Sequence, residues 1–134
     1  MENYKLYKRA ADQGQALAQY LLGNMYREGI EVRQSYSETF KWYKLAADQG
    51  HDHAQYFLGE MYYRGEGVSQ SYTEAIKWYT LAANQGNSYA QSSLGRKYEK
   101  GYGVTQSYNE ARKWYTLAAN QGDYYSKKAL ERIK

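Results

Sequence analysis

The ten residues 77–86 read KWYTLAANQG, and close copies stand at residues 41–50 (KWYKLAADQG) and 113–122 (KWYTLAANQG). Each copy begins 36 residues after the previous one, and a weaker fourth copy, KLYKRAADQG, occupies residues 5–14. A fixed period of this length is typical of arrays in which each unit buries its apolar face only against its neighbours. The chain is therefore predicted to be one array of repeated units.

Within the middle unit, Ala54, Leu58, Met61 and Tyr62 recur at the spacing of one face of a helix, which we call helix A. Gly65 is expected to end helix A in the left-handed conformation that suits a glycine. A second helix, helix B, follows in each unit. The period divides the 134 residues into a partial unit (1–14), three full units (15–50, 51–86 and 87–122) and a terminal helix A (123–134).

Helix B begins with a capping pattern, because Ser71 and Glu74 form a Ser-x-x-Glu motif that recurs in the other two full units. In this motif the serine hydroxyl and the glutamate carboxylate each accept a hydrogen bond from a free backbone N–H at the helix start. Trp78 follows on helix B and is repeated in every full unit. A residue that every unit repeats is expected to belong to the core rather than to a binding site.

Gly23, Gly59 and Gly95 lie in the middle of the three full-unit A helices, where a glycine costs about 1 kcal/mol relative to alanine. We therefore expect helix B to approach helix A so closely at these positions that a side chain has no room. Glu131 stands at the equivalent position of the terminal helix, and its charge is expected to face water.

The composition limits the chemistry that the chain can perform. The sequence has no cysteine, which excludes disulfides and cysteine-based zinc sites, and it contains 18 tyrosines and 3 tryptophans that can supply the bulk of a core. It has no apolar run of the length that crosses a membrane. The N-terminus lacks the basic and apolar regions of a signal peptide, and this favours a cytoplasmic chain.

Three motifs of the unit, Ala-x-Tyr-x-Leu-Gly-x-x-Tyr, Gly-x-Gly-Val and Ala-x-x-Trp-Tyr-x-x-Ala-Ala-x-x-Gly, resemble the Sel1-like repeats, which are relatives of the tetratricopeptide repeats. The resemblance implies an all-α fold, a right-handed α/α solenoid of about three and a half helix-turn-helix repeats with the A helices on its concave side. It also implies an adaptor that binds proteins or peptides. The residues that carry the resemblance are Ala54, Tyr56, Leu58, Gly59, Tyr62, Gly65, Gly67, Val68, Ala75, Trp78, Tyr79, Ala82, Ala83 and Gly86.

Several observations argue against an enzyme. Cysteine-rich members of this family are described as penicillin-binding or β-lactam-hydrolysing, but this chain has no cysteine and no Ser-x-x-Lys motif, so that activity is not transferred. No phosphate loop, cofactor motif or nucleophile with its base stands out. His51 and His53 are two residues apart and point to different helix faces, so no metal site is predicted. We predict no catalytic residue and no cofactor.

Comparison of the units with one another locates a variable surface. The stripe of helix A that lies opposite Leu58 and Tyr62 differs between units, and tetratricopeptide-like solenoids bind peptides along this stripe. Tyrosine rings can stack on a ligand, and Arg or Lys side chains can hold a carboxylate or a carbonyl group. The alternative is that these side chains only form solvated helix faces. The predicted partner-binding groove comprises Tyr20, Asn24, Arg27, His53, Tyr56, Glu60, Tyr63, Arg64, Tyr89, Arg96, Glu99, Lys100, Tyr125 and Lys128.

Two other kinds of interaction remain open at the level of the sequence. Residues 91–134 hold 9 basic and 4 acidic side chains, whereas residues 1–90 hold 9 and 10. This basic third gives the alternative function of binding nucleic acid or an anionic membrane surface, with an affinity that falls as salt increases. Weak self-association through the ends of the array is the other, with Tyr4, Leu6, Leu130 and Ile133 as candidates.

Overall fold

The computed structural model describes residues 2–133, and within that range all regular structure is helical. Successive helices pack against each other in chain order, so the chain is an α/α solenoid, as predicted. No helix of this range has the length and apolar character needed to cross a membrane. The helices are α1 (Glu2–Asp12), α2 (Ala16–Glu28), α3 (Tyr36–Asp48), α4 (Asp52–Arg64), α5 (Tyr72–Asn84), α6 (Ser88–Lys100), α7 (Tyr108–Asn120) and α8 (Tyr124–Arg132).

The even-numbered helices are the A helices, and those of the three full units end on a left-handed glycine, as predicted. The φ angles of Gly29, Gly65 and Gly101 are 69°, 71° and 75°. Two residues later the backbone again has a positive φ, and in the first full unit that position is held by Glu31 at 64°. An L residue is strained in this region. The Glu31 carboxylate accepts a hydrogen bond from the Tyr4 N–H at 3.1 Å, which offsets part of that strain.

The start of helix B confirms half of the predicted capping motif. Ser71 Oγ accepts a hydrogen bond from the Glu74 N–H at 3.2 Å, and the same contact begins α3 and α7. The other half is wrong, because the Ser71 N–H donates to the carbonyl oxygen of Tyr62 at 2.9 Å rather than to the Glu74 carboxylate. Tyr62 lies in the last turn of α4, where carbonyl groups have no partner within the helix. The serine therefore ties helix B to helix A.

The core consists of clusters at the boundaries between units, and a repeated tryptophan lies in three of them. Trp78 of α5 is 4% exposed. It packs with Ala46 and Ala47 of the preceding helix B and with Leu58 and Met61 of its own helix A. The tryptophan therefore locks each unit onto the previous one, and its prediction as a core residue is confirmed.

The mid-helix glycines of the A helices contact buried tyrosines of the B helices. A Cβ atom built on Gly59 would lie 2.9 Å from the Tyr79 ring, and the corresponding distances in the first and third full units are 2.6 and 2.5 Å. These tyrosines are completely buried. The predicted close approach is confirmed, and Glu131 at the equivalent position of α8 is exposed, as expected.

Glutamines connect each unit to the next, a role that the sequence pattern did not reveal. Gln85 Nε2 donates hydrogen bonds to the Gly50 carbonyl oxygen at 2.9 Å and to Gln55 Oε1 at 2.8 Å. Gln55, which is buried, donates in turn to the Ala47 carbonyl oxygen at 3.2 Å. The same set recurs one unit earlier and one unit later. The Gln-Gly pair that follows each helix B thus fixes the register of neighbouring units.

Candidate functional site

Two adjacent pockets open among the A helices in the middle of the array. The first, which we call the basic pocket, has a volume of about 280 Å³ and is lined by Tyr56, Glu60, Tyr63, Arg64, Arg96, Lys97 and Tyr102. The second, which we call the aromatic pocket, has a volume of about 400 Å³ and is lined by Tyr20, His53, Tyr56, Phe57 and Tyr89. Tyr56 lines both, so the two pockets form one continuous surface across α2, α4 and α6.

The aromatic pocket is built from side chains that contact each other from one A helix to the next. The Tyr20 ring of α2 lies 6.3 Å from the Phe57 ring of α4, measured between centroids. Phe57 contacts Tyr56 at 5.0 Å, and Tyr56 contacts Tyr89 of α6 at 5.8 Å. Tyr89 stands at the outer end and is 63% exposed. We call Tyr20, Phe57, Tyr56 and Tyr89 the aromatic row.

Eight of the fourteen predicted groove residues line the two pockets, and the others lie elsewhere on the chain. The two pockets contain Tyr20, His53, Tyr56, Glu60, Tyr63, Arg64, Tyr89 and Arg96. Arg27 lines a third space of about 240 Å³ beside Arg64. In α8, the Tyr125 ring packs 6.0 Å from the Tyr115 ring, while Lys128 pairs with Glu131 at 3.8 Å. Lys100 is exposed and lies 3.9 Å from a Glu99 oxygen.

Three predicted groove residues, Asn24, Glu60 and Glu99, accept hydrogen bonds from the hydroxyl groups of the buried tyrosines of the B helices. The Tyr43 hydroxyl donates a hydrogen bond to Asn24, and in the next unit the Tyr79 hydroxyl donates to Glu60 Oε1 at 2.7 Å. Asn24 and Glu60 occupy the same repeat position, which in the third unit is Arg96. An arginine has no acceptor atom.

In the third unit the acceptor is therefore supplied one helical turn later. The Tyr115 hydroxyl donates to Glu99 Oε1 at 2.8 Å, and both Glu99 oxygens also accept hydrogen bonds from Arg132. The hydrogen bond from the Arg132 guanidinium has the largest effect on the pKa of the Glu99 carboxyl and lowers it below its usual range, and the hydrogen bond from the Tyr115 hydroxyl acts in the same direction. Glu99 is buried and holds a core tyrosine, and it lines a separate pocket of about 390 Å³ together with Arg112 and Arg132. As a result, Arg96 is free of any structural bond to a buried tyrosine.

The most unusual residue of the basic pocket, Lys97, was missed among the predicted groove residues. It stands at the repeat position that holds the buried residues Met25 and Met61 in the other units, and it is itself only 5% exposed. Its ammonium lies 4.0 Å from the centroid of the Tyr63 ring. No carboxylate of residues 2–133 forms an ion pair with it. Comparison of the three copies at this one position would have identified it.

The surroundings of Lys97 disfavour its charge. Burial, followed by the positive charge of Arg96, lowers the pKa of Lys97 to about 8 from its ordinary value of 10.5. Glu60 opposes this shift. However, one Glu60 oxygen accepts the Tyr79 hydroxyl and the other lies 3.1 Å from Arg64. The one carboxylate of the basic pocket is therefore already engaged.

This pKa shift predicts an unusual dependence of stability on pH. The pKa of Lys97 is about 8 in the folded chain and 10.5 in the unfolded chain. Between these two pH values the folded chain has lost the Lys97 proton while the unfolded chain still holds it, so the free energy of unfolding should rise with pH. We expect urea denaturation to show higher stability at about pH 9 than at about pH 7, and Lys97→Met to remove that rise. Equal slopes in the two proteins would contradict the assignment. Above about pH 10, ionisation of tyrosines in the unfolded chain should lower stability again.

The two histidines have separate roles. The His51 Nδ1 atom accepts a hydrogen bond from the Ala54 N–H at 3.2 Å and so caps α4, and burial lowers the pKa of His51. Its ring stacks on Tyr20 at 4.7 Å. His53 is exposed at the aromatic pocket. Across residues 2–133 no three His, Cys, Asp or Glu side chains are placed to hold a metal ion.

The candidates for self-association lie in different environments. Leu6 is exposed on α1, whereas Tyr4 packs edge-on against Tyr26 at a centroid distance of 6.2 Å. Leu130 and Ile133 pack on the last core cluster. Self-association through these residues stays a prediction.

The Sel1 repeat family model matches residues 4–15, 16–51, 52–87 and 88–123. The chain is similar to a protective antigen of uropathogenic Escherichia coli strains that displays an SLR fold, with 44% identity and a TM-score of 0.93 over 95% of this chain and 27% of that one. It is also similar to a Sel1 repeat protein from Oxalobacter formigenes, with 38% identity and a TM-score of 0.82 over 85% and 45% of the two chains.

A third bacterial structure, Helicobacter pylori cysteine rich protein B, shares 21% identity and a TM-score of 0.74 over 94% of this chain and 96% of that one. At this identity the likeness concerns the fold alone. This chain spans less than half the length of the Escherichia coli antigen and of the Oxalobacter formigenes protein. No curated protein matches it.

Proposed function

Because this chain belongs to the Sel1 repeat family, whose repeats typically mediate protein interactions, we propose that it is a non-enzymatic scaffold that binds a protein or peptide along its A helices. The surface proposed for binding is the pair of adjacent pockets formed by α2, α4 and α6. It holds eight of the fourteen groove residues that the sequence predicts.

The observation that carries this proposal is the aromatic row. Four rings, at least one from each of three successive A helices, contact one another side by side, and the last of them, Tyr89, is largely exposed. Tyrosine supplies a large contact area and loses little conformational freedom when it binds, which is why it is enriched where proteins contact partners. The row leads through Tyr56 into the basic pocket, so apolar and polar contacts are available along one surface.

The B helices present a different surface. Their exposed leucines, Leu45, Leu81 and Leu117, repeat at the same position in every full unit and are each about 40% exposed. Single apolar residues scattered on a surface are normal in soluble proteins and need no partner to explain them. The B-helix surface therefore serves as the internal comparison for the test.

The test is the selection of binding peptides from a displayed random library with the folded chain as target. We expect Tyr89→Ala to weaken the selected peptides roughly tenfold or more, because an aromatic anchor is lost. Tyr108→Ala is the matched control, since Tyr108 is 51% exposed but lies on helix α7 outside the row. Circular dichroism should show both variants folded. Peptides that bind Tyr89→Ala as well as the wild type, or that depend instead on Tyr108, would contradict the proposal.

A further inference from the structure

We propose that the basic pocket binds the carboxylate of an acidic side chain, Asp or Glu, of the partner peptide between Lys97 and Arg96. This inference rests on the proposed function, because it assumes that a peptide lies along the A helices. It adds the chemical class of one partner residue and the two side chains that select it.

The first argument is the position of Lys97. The other full units place Met25 and Met61 at this point of the core, and the structure keeps Lys97 equally buried. A buried ammonium without a carboxylate is unfavourable, and its contact with the face of Tyr63 replaces lost hydration only in part. A polar side chain at a core position is a defect unless it has a function. An anionic ligand would satisfy this charge.

The second argument is that Arg96 departs from the repeat independently and at the same pocket. Its position holds the buried tyrosine hydroxyl in the two preceding units, and the transfer of that bond to Glu99 releases the Arg96 side chain. The guanidinium lies 5.2 Å from the centroid of the Tyr125 ring and is exposed. No acidic side chain of residues 2–133 forms an ion pair with it. Two neighbouring residues of α6 thus offer cations that the chain itself leaves uncompensated.

The third argument is the balance of charge in the pocket, which favours a carboxylate over a phosphate. Arg64 and Glu60 pair with each other, so the charge that remains is that of Arg96 and Lys97. A phosphate dianion presents three acceptor oxygens, which exceed the two free cations of the pocket, whereas a carboxylate presents two. A carboxylate can accept hydrogen bonds from both cations at once. The walls of Tyr56, Tyr63 and Tyr102 suit the methylene groups of an acidic side chain.

The experiment compares peptide selections on the wild type and on Lys97→Met, with the library joined at its C-terminus so that only side chains supply carboxylates. Lys97→Met restores the residue of the other units, so it should remain folded and melt a few degrees higher than the wild type near pH 7. We expect one peptide position to be enriched in Asp or Glu on the wild type and not on Lys97→Met. Equal acidic enrichment on both targets, or none on the wild type, would overturn the inference.

Binding constants give the second measurement. A blocked peptide with the enriched acidic residue should bind the wild type roughly ten- to a hundredfold more tightly than its Gln or Asn counterpart. This difference should vanish in Lys97→Met and shrink in Arg96→Gln. Displacement of the peptide by a phosphoserine analogue or an oligonucleotide that binds more tightly would assign the pocket to phosphate instead and overturn the inference.

The two proposals fail in different ways. If Tyr89→Ala weakens binding while Lys97→Met keeps the same acidic preference, the carboxylate site is wrong and the peptide-binding surface stands. If Tyr89→Ala leaves binding unchanged, the peptide-binding surface itself is wrong.

Discussion

Replacement of Trp78 by alanine is expected to lower the free energy of unfolding by about 3 to 5 kcal/mol, the range found for large-to-small changes of buried aromatic residues. Trp78 fills the space between α3 and α4 while it belongs to α5, so its removal leaves a cavity at a boundary between units. Neighbouring alanines such as Ala46 and Ala54 are too small to fill it. The loss should therefore weaken the coupling of the second unit to the first.

Urea denaturation followed by circular dichroism measures this effect, with Leu81→Ala as the control. Leu81 lies three residues further along α5 and is 41% exposed, so its truncation should lower stability by less than about 1 kcal/mol. A similar loss in the two variants would show that Trp78 is not the interlock between units.

Gly95→Ala is expected to destabilise the chain by about 1 to 3 kcal/mol, although alanine is the better helix former by about 1 kcal/mol. The added Cβ would lie 2.5 and 2.6 Å from two carbon atoms of the Tyr115 ring. That ring is fully buried, and its hydroxyl is tied to Glu99, so it has no room to move away. Helices α6 and α7 would have to separate.

Glu131→Ala is the matched control, because Glu131 occupies the same repeat position in α8 and is exposed. Its replacement should change stability by less than about 0.5 kcal/mol. Thermal or urea denaturation of both variants measures the change in their free energy of unfolding relative to the wild type. If Gly95→Ala were stabilised by the gain in helix propensity, the close approach of the two helices would be refuted.

The core of the fold could be predicted from the sequence because the residues that form it recur in all three full units. The glycine in the middle of helix A, the tryptophan and tyrosine of helix B and the glycine that ends each A helix recur at a spacing of 36 residues. Glycine inside a helix and large aromatic residues at fixed positions in every full unit indicate a structural requirement that the units share. The structure supplies the reason for each, in particular the tyrosine ring that leaves no space for a side chain at Gly59.

Contacts between distant parts of the chain could not be predicted in this way. The glutamine ladder joins residues that lie 30 or 35 positions apart, such as Gln85 with Gln55 and with Gly50. The N–H of Ser71 finds a carbonyl of the preceding helix because the turn brings the two ends together, which the local Ser-x-x-Glu motif does not encode. A polar residue that recurs in every unit indicates that its side chain has a structural role, but the recurrence does not show which distant atom it bonds to.

The candidate site was predictable only in part, for a related reason. The variable stripe of helix A contains Tyr56, Arg64 and Arg96, and the structure gathers them around the two pockets. Lys97 lies outside that stripe, at a position that is apolar and buried in the other full units, so the variation of the stripe does not point to it. Glu99 was placed in the groove because the sequence did not show that it replaces Glu60 as the acceptor for a buried tyrosine.

The most direct test of the peptide-binding surface is an NMR titration of the isotope-labelled chain with a peptide obtained by selection. We predict that the largest shifts of backbone amides fall on the facing parts of α4 and α6, around Tyr56, Tyr89 and Lys97, with small shifts on α3, α5 and α7. Shifts concentrated on those three B helices would contradict the account.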